Sequence, residues 1–410
     1  MRSKEARLEE AYGLALAIDL EVLGKQSVNL EKISPATYIG SGLVEEFQGL
    51  FKSLGVEVVI FDCALSPVQQ RNLERKWSVK IIDRTGLILE IFADRARTAE
   101  GRMQVELATL QYRRGRLVRA WSHLERQRGG FGFTGGPGES QIELDRRMID
   151  ERITKIKKEL EHTVRTRRLQ RTAREKVPYP IVALVGYTNA GKSTLFNTLT
   201  QADVFAKDLL FATLDPTMRT IKLPSGQEVI LSDTVGFISD LPTTLIAAFR
   251  ATLEEVTSAD VILHVRDISH EDSEFQRQDV EHVLDELGLA QARDDGHIVE
   301  VWNKIDLLDG EEREIAQNKL SYKKDCIALS ALTGEGMNAL KTLIDDKLTE
   351  DRKVFEVTLP SAAGELLAWC YRYGAVHGRQ DDEQGIHLTL RLPKHLLPKF
   401  WERYRKMRVE

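Results

Sequence analysis

Apolar positions follow two different periods along the first 180 residues. Val56-Glu-Val-Val-Ile-Phe61 and Val79-Lys-Ile-Ile82 are short runs rich in β-branched residues and predict buried strands. Leu14-Ala-Leu-Ala-Ile18, inside the apolar stretch Tyr12 to Leu20, predicts another strand. Between the first two, Ser66 can cap a helix, Pro67 suits its first position and Gln69 completes a capping box. The spacing therefore predicts a helix over 66–77 inside a βαβ unit, which implies parallel strands. A second helix is predicted over 41–54, entered through Tyr38-Ile-Gly-Ser-Gly42.

The period then changes. Met103, Leu107, Leu110, Leu117, Trp121 and Leu124 make one narrow apolar stripe, and Ile142, Ile149, Ile153, Ile156 and Leu160 make a second. Each predicts a helix of roughly 28 residues, or ~42 Å at 1.5 Å per residue. Between them, six of the ten residues Gly129 to Gly138 are glycine, which neither helix can absorb. An antiparallel helical hairpin with a glycine-rich tip loop is expected. After the stiff Val177-Pro-Tyr-Pro180, strand-like runs Ile181 to Val185, Glu228 to Leu231, His297 to Trp302 and Cys326 to Leu329 alternate with polar loops and helical segments. The last 60 residues read as strand 354–359, helix 362–373, strand 386–392 and helix 395–406. The expected units are 1–98, 99–176, 177–350 and 351–410.

Composition changes one point. The chain has 410 residues and a formal net charge of −5, which alone argues against a nucleic-acid partner. Residues 95–176, however, hold 21 Lys/Arg against 11 Asp/Glu, a local charge of +10, so the remainder carries −15. The basic stretch flanks a loop with Phe131 and Phe133. Aromatics beside arginines suit stacking on unpaired bases and pairing with phosphates, so RNA contact is expected. Cys63, Cys326 and Cys370 are odd in number and widely spaced, which argues against disulfides and zinc and for a reducing compartment. No apolar run reaches ~18 residues, so no transmembrane helix is predicted, and Tyr12 to Leu20 is too short and lacks a cleavage site for a signal peptide. A cytoplasmic monomer is expected.

The chemistry begins where Ile181 to Val185 runs into Gly186, Tyr187, Thr188, Asn189, Ala190, Gly191, Lys192 and Ser193, followed by helix-like Thr194 to Leu199. This is GxxxxGK[ST] in its strand–loop–helix context. The glycines let backbone N–H groups converge on phosphate, Lys192 reaches the β- and γ-phosphates, and the Ser193 hydroxyl is a hard ligand for Mg²⁺. Asp233, Thr234, Val235 and Gly236 follow the next strand; Asp233 supports Mg²⁺ and the Gly236 N–H can bond a γ-phosphate. Upstream, Phe211, Ala212, Thr213, Leu214 and Asp215 supply Thr213 as a ligand made when the γ-phosphate is present. Asn303, Lys304, Ile305 and Asp306 add a carboxylate that can accept from both N1–H and the exocyclic amine of guanine, a pair that adenine lacks. Ser330, Ala331 and Leu332 place the Ala331 N–H near the guanine carbonyl. Direct hydrolysis of GTP to GDP follows, with Lys192, Thr213 and Gly236 as catalytic candidates and Ser193, Thr213 and Asp233 as metal candidates.

Phe237 stands where Ras-like GTPases carry the glutamine that orients water. It has no donor or acceptor, so slow intrinsic turnover and an external activator are expected. By analogy with other GTPases lacking that glutamine, Asn189 is a candidate to help bind K⁺.

With Gly130-Phe-Gly-Phe-Thr-Gly-Gly-Pro-Gly-Glu-Ser-Gln141 on the hairpin, Tyr38-Ile-Gly-Ser-Gly42, Phe211-Ala-Thr-Leu-Asp215 and Asp233-Thr-Val-Gly-Phe237, the chain resembles the HflX family of ribosome-associated GTPases over about 10–350. The resemblance implies an α/β fold: a P-loop GTPase domain preceded by a small α/β domain with a long helical hairpin and followed by a short α+β tail. It also implies binding to the large ribosomal subunit and its ribosomal RNA, not DNA, with the N-terminal region near the peptidyl-transferase centre. GTP would then drive dissociation of stalled ribosomes; the alternative is a GTP-dependent assembly chaperone of the large subunit. ATP use through the N-terminal region is also associated with the family, but residues 1–176 contain no second phosphate loop.

Overall fold

The computed structural model describes residues 2–127, 141–174, 179–201, 210–211, 213–214, 217–239, 253–294, 296–350, 352–360, 363–372, 375–382, 385–393 and 397–409. It opens on helix α1 (Lys4–Leu16), whose N-cap Ser3 accepts from the Ala6 N–H at 3.0 Å. The strand expected over 14–18 is thus the end of a helix. Leu14 and Ala17 are buried beside Ile88 and Phe92 at helical spacing. A short Leu/Ala run does not separate a buried helix from a strand by period, and both residues favour helix.

Helix α2 (Ser41–Leu54) leads into strand β1 (Val58–Phe61), helix α3 (Pro67–Trp77) and strand β2 (Lys80–Asp83). β1 and β2 pair in parallel, and the Ser66–Gln69 capping box starts α3. Trp77 anchors this layer, with its Nε1–H on the Val44 carbonyl at 2.8 Å and Phe47, Phe51 and Phe61 packed around it. Helix α4 (Arg84–Arg95) follows directly and was not anticipated; Asp83 ends the strand and caps the helix at the Gly86 N–H.

Helices α5 (Ala99–Gln127) and α6 (Gln141–Arg174) form the expected hairpin. Leu107, Ile153 and Ile156 are buried in its seam, with Met103, Leu110, Ile149 and Leu160 beside them. Arg152 bridges to Glu106 at 2.7 and 2.9 Å across the outside of the seam. Residues 129–138, including Phe131 and Phe133, lie outside the described residues, as do the Trp121, Leu124 and Ile142 side chains.

A six-stranded sheet follows: β3 (Ile181–Gly186), β4 (Thr217–Lys222), β5 (Glu228–Asp233), β6 (Val261–Asp267), β7 (Ile298–Asn303) and β8 (Cys326–Ala328). Its order is β4-β5-β3-β6-β7-β8, with β4 antiparallel to β5 and the other pairs parallel. β3 and β6 are buried nearly throughout, as near-continuous apolar runs in a parallel sheet should be. Strands β9 (Arg352–Leu359), β10 (Val376–Asp382) and β11 (Gly385–Pro393) make a smaller antiparallel sheet, backed by helices Gly364–Arg372 and Leu397–Val409 around Leu390, Trp369 and Phe400. β10, at the sheet edge, was not expected; its Gly378 to Asp382 stretch is too polar to carry an alternating apolar signal. No helix among the described residues is long and apolar enough to cross a membrane. Cys63, Cys326 and Cys370 are free thiols.

Candidate nucleotide-binding site

The sequence motifs converge at the C-terminal edge of the six-stranded sheet, where open α/β sheets present ligand sites. The loop from β3 into helix α7 (Lys192–Thr200) requires its glycines. At Gly186, φ is 153° and an added Cβ would lie 2.2 Å from the Val265 carbonyl oxygen. At Gly191, φ is 90° and a Cβ would lie 2.2 Å from the Asn303 amide nitrogen. That amide donates to the Ala190 carbonyl at 2.8 Å, while Asn303 Oδ1 accepts the Ala331 N–H at 2.9 Å. Asn303 thereby staples the phosphate loop to the 330–332 loop. Thr198 adds a bond to the Ala331 carbonyl at 2.8 Å, and the Ser330 hydroxyl accepts from Thr333.

Lys192 is buried with its ammonium on the Tyr187 carbonyl at 2.7 Å. Burial lowers it to about 8, against the opposing pull of Asp233. Ser193 Oγ lies 2.9 Å from Thr213 Oγ1, and both hydroxyls reach Asp233 Oδ2, at 2.7 and 3.1 Å. Burial pushes the Asp233 carboxyl up; Lys192 and the two hydroxyls only partly counter it. Its Oδ1 is buried without a partner. Two hydroxyls and an under-satisfied carboxylate in one spot are a hard oxygen set that fits Mg²⁺.

On the base side, Asp306 Oδ1 is likewise buried without a partner. Lys304 has φ 67° and its ammonium lies 2.7 Å from Asp267. Ile305 is buried beneath, and Leu332 is 79% exposed. Asn189, at φ 59°, is exposed on the loop, while the Thr188 hydroxyl is buried without a partner. Thr194 sits partly buried in the first turn of α7. Ala212 and Asp215 lie outside the described residues.

Several motif residues serve packing. Thr234 turns its hydroxyl to the Leu184 carbonyl at 2.6 Å, and Val235, Phe237, Phe211 and Leu214 are core residues. Phe237 is 1% exposed and bonds through its backbone to Gly186 and Thr188, so its side chain cannot meet a water. Gly236 stands against the phosphate loop. A Cβ there would lie 2.9 Å from Thr188 Cγ2 and 3.1 Å from Lys192 Nζ. Gly236→Ala is therefore expected to lower GTP affinity and turnover about 10- to 100-fold, the scale of one lost bond to a charged group, with GDP affinity much less affected. Equilibrium titration of both nucleotides checks this.

One part of the site had no signal in the sequence. The Tyr187 hydroxyl lies between Glu10, Arg2 at 3.2 Å and Ser239 Oγ at 2.6 Å, and accepts the Ser239 N–H at 2.8 Å. Arg84 bonds Glu10, Asp62 and the Ser239 carbonyl, the last at 2.9 Å. Arg2 also reaches Asp272 at 3.1 Å. Burial alone would raise the Glu10 carboxyl, but Arg84 and Arg2 outweigh it and hold it below its ordinary range. Phe92 meets Phe211 edge-on with centroids 4.7 Å apart. The phosphate loop and the segment after Gly236 are thus held by the N-terminal helices α1 and α4. The three partners of the Tyr187 hydroxyl lie 52 to 185 residues from it in sequence, beyond any motif spacing.

Most of the chain is similar in sequence to known proteins. Residues 5–93 match the family described as GTP-binding GTPase N-terminal, 95–174 its middle region, 181–304 the 50S ribosome-binding GTPase family and 315–397 the HflX C-terminal domain. The GTPase HflX of Magnetococcus marinus is 51% identical over 95% of this chain and 89% of its own length. That of Escherichia coli K12 is 43% identical over 94% and 89%. Among solved structures, a GTP-binding protein from Sulfolobus solfataricus in complex with GDP is 25% identical at a TM-score of 0.44, covering 83% of this chain and 95% of that one. This chain belongs to the HflX family and is a GTP-binding GTPase.

Proposed function

We propose that this GTPase binds the large ribosomal subunit and uses GTP binding and hydrolysis to dissociate stalled ribosomes into subunits. The supporting observation is a hairpin charged +10 over residues 95–176, sealed by Leu107, Ile153 and Ile156 in its seam and carried by the same chain as a guanine site. Part of that charge is answered within the chain, as by Arg152 on Glu106, but the excess of ten suits an external polyanion, and ribosomal RNA is the one that a 50S ribosome-binding match favours. The protein acts as a cytoplasmic monomer, divided near 98, 176 and 350.

At the site, Lys192 and the loop amides of 186–193 neutralise and orient the phosphates. Asn303 holds the phosphate and base loops together, Asp306 selects guanine and the Ala331 N–H meets its carbonyl. Ser193, Thr213 and Asp233 would hold Mg²⁺, which would offset phosphate charge when bound. The Gly236 N–H reports the γ-phosphate to the segment ending in Ser239. Asn189 is free to help hold K⁺, which a comparison of rates in K⁺ and Na⁺ checks. Because Phe237 is locked in the core, the attacking water is placed by backbone or by the bound partner.

Turnover alone should therefore be slow and rise by orders of magnitude on large subunits, with GTP-dependent dissociation of mature ribosomes in sedimentation. Equal rates with and without subunits, and no dissociation, would end this reading. Binding confined to precursor particles would favour an assembly chaperone.

A further inference from the structure

We propose that the crevice between α3 and the helical hairpin, midway along α5 and near the start of α6, seats one unstacked nucleotide of a single-stranded RNA. The inference rests on the ribosomal reading above and names the RNA feature that the hairpin takes. The crevice measures about 530 Å³. Its floor is apolar, made by Pro67 of α3, Leu117 of α5, and Met148 and Ile149 of α6. Met148 is 60% exposed although the seam beside it buries Ile153 and Ile156. An apolar floor open to solvent suits the face of a base, and such stacking tolerates any base.

The charge at the rim is unequally committed. Arg116 is used internally: it bonds Asp83 and Gln70 and donates to the Leu65 carbonyl at 3.3 Å. Glu74 accepts from Gln70 at 3.0 Å and from the Ile81 N–H at 3.3 Å, and Asp145 is engaged within the chain. Arg71 and Arg113 have no hydrogen bond or ion pair among the described residues, and Arg71 Nε is buried without a partner. Two uncommitted guanidinium groups at the edge of an apolar floor match a base flanked by its phosphates. A duplex would keep its base faces stacked and leave the floor empty. An apolar protein side chain would fill the floor but leave both guanidinium groups unanswered.

The full chain can be titrated into a fluorescein-labelled 12-nucleotide single-stranded RNA of mixed sequence over a range of salt. The Arg71→Gln/Arg113→Gln variant should bind about tenfold more weakly, with the log–log salt slope shallower by about 1.4, at ~0.7 per phosphate. Met148→Asp should also lose about tenfold, with the slope unchanged. A photo-crosslinker at position 148, introduced as Met148→p-benzoylphenylalanine, should label RNA on large subunits. Wild-type affinity in both variants, equal losses on a 12-base-pair RNA duplex, or labelling of a ribosomal protein instead would overturn the seat. So would saturable AMP binding abolished by the same substitutions, which would reassign the crevice to a free nucleotide. If the wild-type chain bound neither the oligonucleotide nor large subunits, the ribosomal reading would fall as well; if wild type and variants bound alike, the seat alone would fall.

Discussion

Asp306→Asn is expected to shift nucleotide preference from GTP to xanthosine triphosphate by about two to four orders of magnitude. The Asp306 Oδ1 atom is buried and has no protein partner, so its hydrogen-bonding capacity is held for a ligand. Guanine presents N1–H and an amine to that carboxylate, and each bond to a charged group is worth ~1.5–3 kcal/mol. Asparagine offers one donor and one acceptor instead, which mismatches guanine and suits the carbonyl oxygen that xanthine has in place of the amine. The Asn303 staple that holds the base loop to the phosphate loop is not touched, so the phosphate site should persist. Competition of each triphosphate against a fluorescent guanine diphosphate measures the ratio. Unchanged selectivity would remove Asp306 from the base site.

Arg84→Ala should be strongly destabilising although it lies outside the nucleotide motifs. Arg84 is 5% exposed and answers Glu10, Asp62 and the Ser239 carbonyl at once. Its removal takes the shared cation from the buried Glu10, which keeps only Arg2, and from the partly exposed Asp62, a kind of loss that costs ~3–5 kcal/mol. A thermal transition lower by on the order of 10 °C is expected. Arg147→Ala is the control. Its partner Glu151 is 3.6 Å away and both side chains are more than half exposed, so a change within ~1 kcal/mol is expected. A calorimetric scan of the two variants separates the outcomes; an Arg84→Ala protein that melts with wild type would show that the cluster holds no stability. Because Arg84 also grips Ser239, just after Gly236, Arg84→Ala should change turnover as well as stability.

The chain carried some of this legibly. The capping box at Ser66 and Gln69 uses only residues three apart, and the hairpin seam only residues three to seven apart, so both could be read without a fold. The nucleotide motifs were legible because each sits on one turn at the end of a strand. Even there, the roles within a motif divide only in space: Thr234 and Val235 lie between two site residues yet face the sheet and the core. Leu14 to Ala17 misled because a short apolar run is buried equally well by a helix. β10 was silent because a polar edge strand needs only one neighbour.

By itself the sequence determined that this chain carries guanine-nucleotide motifs, with Lys192, Thr213, Asp233 and Asp306 in their order, and that a basic hairpin precedes them. Local spacing is enough for such features, because backbone geometry repeats over a few residues. Tertiary structure alone decided that the phosphate-loop residue Tyr187 is clasped by Arg2, Glu10 and Ser239, that Phe211 is pinned on Phe92, and that Arg71 and Arg113 are left uncommitted at one crevice. Those are statements about which charges and rings lose their water together. Desolvation is a property of the packed whole, so groups nearly two hundred residues apart can come to share one buried site with no mark of it in the sequence.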